Sequence, residues 1–181
     1  MRPDSTPLPS SASVAEAGLS LGSNMGDRLE NLAKSRDLIA GGGDVDVVAS
    51  SPIYETEPVG VRKEYRDLAF LNAVLIVESR LGPEELSTWI HAVEDALGRK
   101  RSDDRYAPRP IDVDILYFGN VNMESRDLTL PHPSWYGRRF VVQPLADVRP
   151  ELILPGQPLT CRQVLSSLPE VPEVVLFQKE W

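Results

Sequence analysis

One cysteine, Cys161, stands in 181 residues. That excludes an intrachain disulfide and any cluster of metal-bound thiolates, and leaves Cys161 to be read as a small buried hydrophobe. No apolar run is long enough to cross a bilayer. The richest, LAFLNAVLIV at residues 68–77, is short and β-branched, as a buried strand is. Residues 1–13 are rich in proline and serine and have no apolar h-region, so they fit neither a secretory signal nor a membrane anchor. They are expected to be a flexible N-terminal tail, and the protein to be cytoplasmic. Positive charge is also scarce, with 19 Lys and Arg against 27 Asp and Glu and a net charge of -8. Such a surface repels nucleic-acid backbones and anionic lipid, so neither partner is expected, and an anionic ligand would need a local basic site. G-x-x-x-x-G-K-[ST] is absent, which excludes a P-loop. There is no internal repeat.

What is present fits one domain over residues 14–181, with 41% apolar and 25% charged residues in the whole chain. Residues 17–21 read as a strand, followed by the turn Gly22-Ser23-Asn24. Asp27 then caps a helix with Leu29, Leu32, Leu38 and Ile39 as its apolar stripe, stopped by glycines 41–43. Residues 45–54 and 68–78 read as two strands. The loop 55–67 between them is too long and polar for a tight hairpin turn, and long loops in compact domains tend to carry function. Pro83, Glu84 and Glu85 open a second helix to about residue 97, with Leu86, Ile90, Val93 and Leu97 inward. A strand at 111–118, a helix after Thr160 and a last strand at 174–177 follow. Strands and helices in this order predict an α+β fold, a mainly antiparallel sheet with helices packed on its faces.

The chemistry concentrates in RYAPRPIDVDIL, residues 105–116. Alternation along a strand turns Ile111, Val113 and Ile115 to one side and Asp112 and Asp114 to the other, with Cα atoms about 6.5 Å apart. Two carboxylates so placed repel each other, and divalent cations held between them would relieve the repulsion. Magnesium with phosphate oxygens is the natural completion. Taken alone, a D-x-D pair more often lines the solvent face of an edge strand. The loop just before it shifts the balance: Arg99, Lys100, Arg101, Arg105 and Arg109 are delivered beside the acids in a strongly acidic chain. Guanidinium groups bind phosphate oxygens bidentately, and a phosphoryl transition state needs such donors already in place. Acids and cations together describe a nucleoside triphosphate site.

Other residues stay open to two readings. Asn72 interrupts a buried strand with an amide that needs partners or reads the edge of a heterocycle. His132, with residues 136–140 close behind, suits either a lid or a packed corner. His91 is as much a surface residue as a site residue, and Gly22–Asp27 is read as a capped strand-to-helix turn.

RYAPRPIDVDIL resembles the defining motif of the 6-hydroxymethyl-7,8-dihydropterin pyrophosphokinases. The likeness extends to Gly22-Ser23-Asn24, Tyr54-Glu55-Thr56, Phe70-Leu71-Asn72-Ala73, Leu130-Pro131-His132 and Pro144-Leu145. It implies a ferredoxin-like α/β sandwich holding ATP, as co-substrate, beside the pterin. It implies that Asp112 and Asp114 hold two Mg2+ ions, and that Arg99 and Arg109 neutralise charge during transfer with Arg101 assisting. It further implies a pterin pocket of Asn72, Phe70, Phe140, Asp112 and backbone around Thr56 and Val59. Glu94, Arg109, Ile115, Thr129, His132 and Arg138 fall where the family contacts ATP; His91 and Tyr106 take positions where a glutamine and a tryptophan are found. Glu57 and Pro133 also depart from the family pattern. The reaction implied is in-line attack of the pterin hydroxymethyl oxygen on the β-phosphorus of ATP, by a monomer. Two competing readings are a magnesium-dependent nucleotidyl- or glycosyltransferase and a non-catalytic binding module.

Overall fold

The computed structural model describes residues 14–58, 63–100, 104 and 107–181; the expected tail lies outside them. Strand β1 (Ala15–Ser23) leads into helix α1 (Arg28–Gly41). Asp27 accepts a hydrogen bond from the Glu30 N–H at 2.9 Å, satisfying one of the donors that a helix start leaves over. The buried stripe of α1 is Leu32, Ser35 and Ile39. Leu38, assigned to the stripe from sequence, is 40% exposed, because it lies next to Ile39 and so about 100° around the helix. Gly42 ends the helix and leaves room for a neighbour: a Cβ there would stand 2.9 Å from the Trp89 ring. Trp89 Nε1–H in turn donates to the Ile39 carbonyl at 3.1 Å.

The single strand expected at 45–54 is two, β2 (Val45–Ser50) and β3 (Ile53–Thr56). Pro52 lies between them and cannot donate to the ladder. Both run along β4 (Phe70–Ser79), β2 against its end and β3 against its start. Helix α2 (Pro83–Ala96) and strand β5 (Asp112–Phe118) follow, then the short ribbon of β6 (Met123–Glu124) and β7 (Thr129–Leu130). The main sheet runs β5-β1-β4-β3, with all pairs antiparallel and β8 (Val174–Gln178) added outside β3. Elements β1 to β5 thus follow the β-α-β-β-α-β order of ferredoxin-like sandwiches, with β2 and β3 sharing one place.

Strand β4 is central, between β1 and the β2/β3 pair, and helices cover both of its faces, α1 on one side and α3 on the other. Leu71, Ala73, Leu75 and Val77 join the core on the α1/α2 side, while Val74 and Ile76 join a second core. That double burial is why residues 73–77, AVLIV, are a continuous apolar run instead of an alternating one. Leu75 is fully buried, and its truncation to Ala would cost about 2–5 kcal/mol.

The second core rests on α3 (Arg139–Val148) and α4 (Cys161–Ser167). Helix α3 was not anticipated, because Pro144 reads as a breaker. Pro144 is buried inside the helix, and packing of Val141, Val142 and Leu145 holds the turn that proline weakens. Arg149 fastens the end of α3 to the sheet, its guanidinium lying 2.8–3.3 Å from the Glu16 carboxylate, to which Tyr117 also donates at 2.6 Å. Burial alone would raise Glu16, but these hydrogen bonds outweigh it and hold the carboxyl low. Gly18 makes room for the same tyrosine: a Cβ there would stand 2.3 Å from the ring. Cys161 is buried, and burial pushes its thiol up to about 12. Among the described residues, no helix is long and apolar enough to cross a membrane.

Candidate active site

Strand β5 ends the sheet on one side, and the register shift against β1 between Gly18 and Leu19 skips Leu116. Up to that bulge the alternation holds. Val113 and Ile115 enter the α1/α2 core, so Asp112 and Asp114 project from the other face. The two acids then meet different surroundings. Asp112 is paired on both oxygens: Arg99 Nη1 donates to Oδ1 at 2.6 Å, and Arg109 Nε forms an ion pair with Oδ2 at 3.1 Å. Asp114 has His132 Nε2 at 3.9 Å. Enclosure by the cleft walls raises its carboxyl above the usual range, and the Asp112 charge adds to that against the pull of His132, Arg138 and Arg99.

The arginines are held from behind. Glu94 on α2 is 1% exposed and takes hydrogen bonds from Arg99 and from the Val113 N–H, the latter at 2.8 Å. A single buried carboxylate therefore sets α2, Arg99 and β5 in register. Removing it would leave an uncompensated charge, at a cost of about 3–5 kcal/mol. Arg109 is fixed through its backbone. Its N–H donates to Asn24 Oδ1 at 2.9 Å, and the Asn24 N–H donates to the Arg109 carbonyl at 3.3 Å. The Arg109 guanidinium lies 5.9 Å from the Phe70 ring centroid. The turn Gly22–Asp27 thus caps α1 and also anchors Arg109. Asn24 is 4% exposed, and nothing in the sequence alone pointed to this second role.

Two hollows meet at Asp114. The larger, about 410 Å³, holds Gly22, Thr56, Phe70, Asn72, Arg109, Asp112, Arg138 and Phe140, and its outer wall is Leu168, Pro169, Val171, Pro172 and Val174. Asn72 Nδ2 donates to Thr56 Oγ1 at 2.8 Å, which leaves its carbonyl oxygen as an acceptor. The smaller, about 290 Å³, is lined by His91, Val113, Ile115, Thr129 and His132 together with Arg126 and Asp127. Arg138, expected with the nucleotide residues, lines the larger hollow, and Glu94 lies behind the arginines, lining neither. Val59, Arg101, Arg105 and Tyr106 lie outside the described residues.

His132 accepts from the Ser134 N–H at its Nδ1, 3.1 Å away. A neutral ring therefore carries its proton on Nε2, toward Asp114. Burial lowers the His132 pKa, and Arg138 adds to that against the opposing pull of Asp114. Arg28 was missed from sequence. Its Nη1 donates to the Ala69 carbonyl at 2.8 Å and its Nη2 pairs with Glu55 at 2.8 Å, so one side chain ties both ends of the segment from Thr56 to Phe70, which border the larger hollow. The outer wall was missed as well, since its residues are ordinary surface prolines and valines until α4 is docked. Arg139 donates to the Leu168 carbonyl at 3.1 Å there.

The acids and the chemistry of the donor set fit Mg2+: hard carboxylate oxygens on a rigid strand, with one acid left as a destabilised like-charge neighbour. Among the described residues no three His, Cys, Asp or Glu side chains gather as a closed metal site. An ion there would rely on substrate phosphates and water for its remaining ligands, as Mg2+ commonly does.

Residues 18–150 match the family described as 7,8-dihydro-6-hydroxymethylpterin-pyrophosphokinase. A relative from Bacillus subtilis named 2-amino-4-hydroxy-6-hydroxymethyldihydropteridine pyrophosphokinase is 42% identical over 133 residues, covering 73% of this chain and 77% of the relative. One of the same name from Methylorubrum extorquens is 36% identical, covering 86% of this chain and 94% of the relative. A mitochondrial folate synthesis bifunctional protein of Arabidopsis thaliana is 38% identical over 80% of this chain, which spans 25% of that relative's length. Among solved structures, an HPPK-DHPS in complex with substrates superposes with a TM-score of 0.66 at 14% identity, over 86% of this chain and 43% of that one.

Proposed function

The chain belongs to the 7,8-dihydro-6-hydroxymethylpterin-pyrophosphokinase family, and from that premise we propose that it transfers diphosphate from ATP to the hydroxymethyl group of 6-hydroxymethyl-7,8-dihydropterin in folate biosynthesis. The pterin hydroxyl oxygen forms a bond to the β-phosphorus while the α–β bridging bond breaks, and AMP leaves with that electron pair. The hydroxyl proton passes to solvent. The observation that carries this reading is the meeting of two hollows at an acid pair already flanked by arginines.

The larger hollow is the pterin side. Phe70 and Phe140 offer ring faces to a flat heterocycle, and the Asn72 carbonyl accepts from its N–H groups while Thr56 holds the amide in place. The smaller hollow is the nucleotide side, with His91, Ile115, Thr129 and His132 as its walls. Asp112 and Asp114 would hold two Mg2+ ions, which supply charge neutralisation for the triphosphate when bound. Arg99 and Arg109 stand beside them to stabilise the negative charge that grows as the bridge breaks. Arg138 lines the larger hollow with Asp114 and acts on its charge, so it would reach the same phosphates. Phosphoryl transfer depends chiefly on such positioning and electrostatics, so no general base is required. Glu94 and Asn24 act on the reaction through the arginines they hold. Every group named comes from one chain, and the reading places it in the cytoplasm, beside its ATP.

Incubation with ATP, Mg2+ and the hydroxymethyl pterin tests this. AMP is expected, made only when all three are present, and Asp112→Ala should abolish it. ADP or free pyrophosphate as the product overturns the reading.

A further inference from the structure

Strand β8 is the last strand of the sheet beyond β3, and no described strand pairs with its outer edge. It is short, and its residues Val174–Gln178 carry no charge. Val175, Leu176 and Phe177 are 49%, 46% and 46% exposed, so apolar side chains stand open on both faces of the strand. An edge of this kind is a template for another strand unless charge, proline or a covering element blunts it. Here the charges come only at its two ends, Glu173 before it and Lys179 after it, both exposed.

The order of residues selects the partner. Two copies of β8 laid antiparallel about a twofold axis through Leu176 put Val174 opposite Gln178, Val175 opposite Phe177 and Glu173 opposite Lys179, each pair occurring twice. Residues 173, 175, 177 and 179 share one face of a strand. That face would carry a charge pair, an aromatic–aliphatic pair, and then the same two pairs in reverse, and both kinds of cross-strand pair are stabilising. Moving the axis to Val175 sets Glu173 against Phe177. Moving it to Phe177 sets Val175 against Lys179. Only the Leu176 register matches charge with charge and apolar with apolar.

We propose that the chain dimerises through β8, with a second copy of itself as the occupant of this edge, joining two six-stranded sheets edge to edge in a closed isologous pair. The expected monomer then gives way to a dimer at working concentration. A strand pair with few flanking contacts falls at the small end of interfaces, so the dissociation constant should be micromolar.

Sedimentation of the full chain tests this. At about 100 μM the wild type should run at twice the 20.1 kDa chain mass. Glu173→Lys and Lys179→Glu should each run as monomers at that concentration, since each faces like charge with like. An equimolar mixture of the two variants should recover the dimer, because both charge pairs are restored in the heterodimer. Circular dichroism and melting, unchanged from wild type, establish that the variants are folded, and Leu176→Lys gives a second disruption at the axis. A wild type that stays monomeric overturns the proposal and leaves the edge to a different occupant. A dimer indifferent to both charge reversals overturns it equally.

Discussion

The two hollows on either side of Asp114 are built from different stock. The larger takes its walls from the middle of the sheet, with Gly22 of β1, Thr56 of β3 and Phe70 and Asn72 of β4 set by ladder hydrogen bonds, and with α3 laid across them. The smaller lies along the outer edge of β5, between α2 and the segment from Arg126 to Pro133. One is a slot with a few placed polar atoms, as a flat heterocycle needs; the other is a shallow, more polar shelf. Difference in construction implies difference in tolerance. Changes at the first should register as lost pterin affinity, and changes at the seam between the two as lost chemistry.

The largest expected effect is at the seam. Arg109→Ala should lower kcat by about 100-fold, since a preorganised charge counts most where charge develops, while the ATP dissociation constant moves only a few-fold. Single-turnover rates set against equilibrium binding separate the two quantities. Equal losses in both would erase the distinction between seam and shelf.

A smaller effect should sharpen it. Arg28→Ala cuts both ties on the segment that borders the larger hollow, proposed as the pterin side, so the KM for pterin should rise about tenfold, the equivalent of one charged hydrogen bond. The KM for ATP should stay within twofold. A change shared by both substrates would mean that the two hollows are not independently supported.

The smallest effect is on stability and concerns the acid pair itself. Asp114 has its pKa raised in the fold, so the fold holds that proton more tightly than the unfolded chain does. The resulting stability is present below the ordinary carboxyl value of 3.8 and is lost as pH rises through the raised folded value. At neutral pH the ionised Asp114 is a standing cost. Asp114→Asn should therefore melt higher than wild type at neutral pH without Mg2+, and the gap should close on acidification. Melting curves across pH check this, and a variant that melts lower at neutral pH breaks it.

Much of the fold was legible in order and period. The cap at Asp27, the helix opened by Pro83 and the strand carrying Asp112 and Asp114 stand where local rules put them. Local rules failed where distant packing decides. Helix α3 survives Pro144 because its apolar side is buried by β4 and α4. The division of residues 45–54 has instead a local cause, since Pro52, which lacks the N–H that a ladder needs, stands between β2 and β3. In the site, the acid pair and its arginines were readable because they are neighbours in one segment. Glu94 reaches that segment at Arg99 and at Val113, 19 positions on, and Asn24 reaches it from 85 positions away, while Arg28 ties Ala69 from 41 positions away; no spacing rule reveals such partners.

The sequence by itself determined which side chains share the outward face of β5, since alternation along a strand needs no knowledge of the rest. It could not say that Asp112 would be held by two guanidiniums while Asp114 is left poorly neutralised. That inequality depends on a carboxylate from α2, an amide from the first turn and the walls of the cleft. Burial and charge pairing are properties of assembled neighbours, and only the packed structure brings those neighbours together.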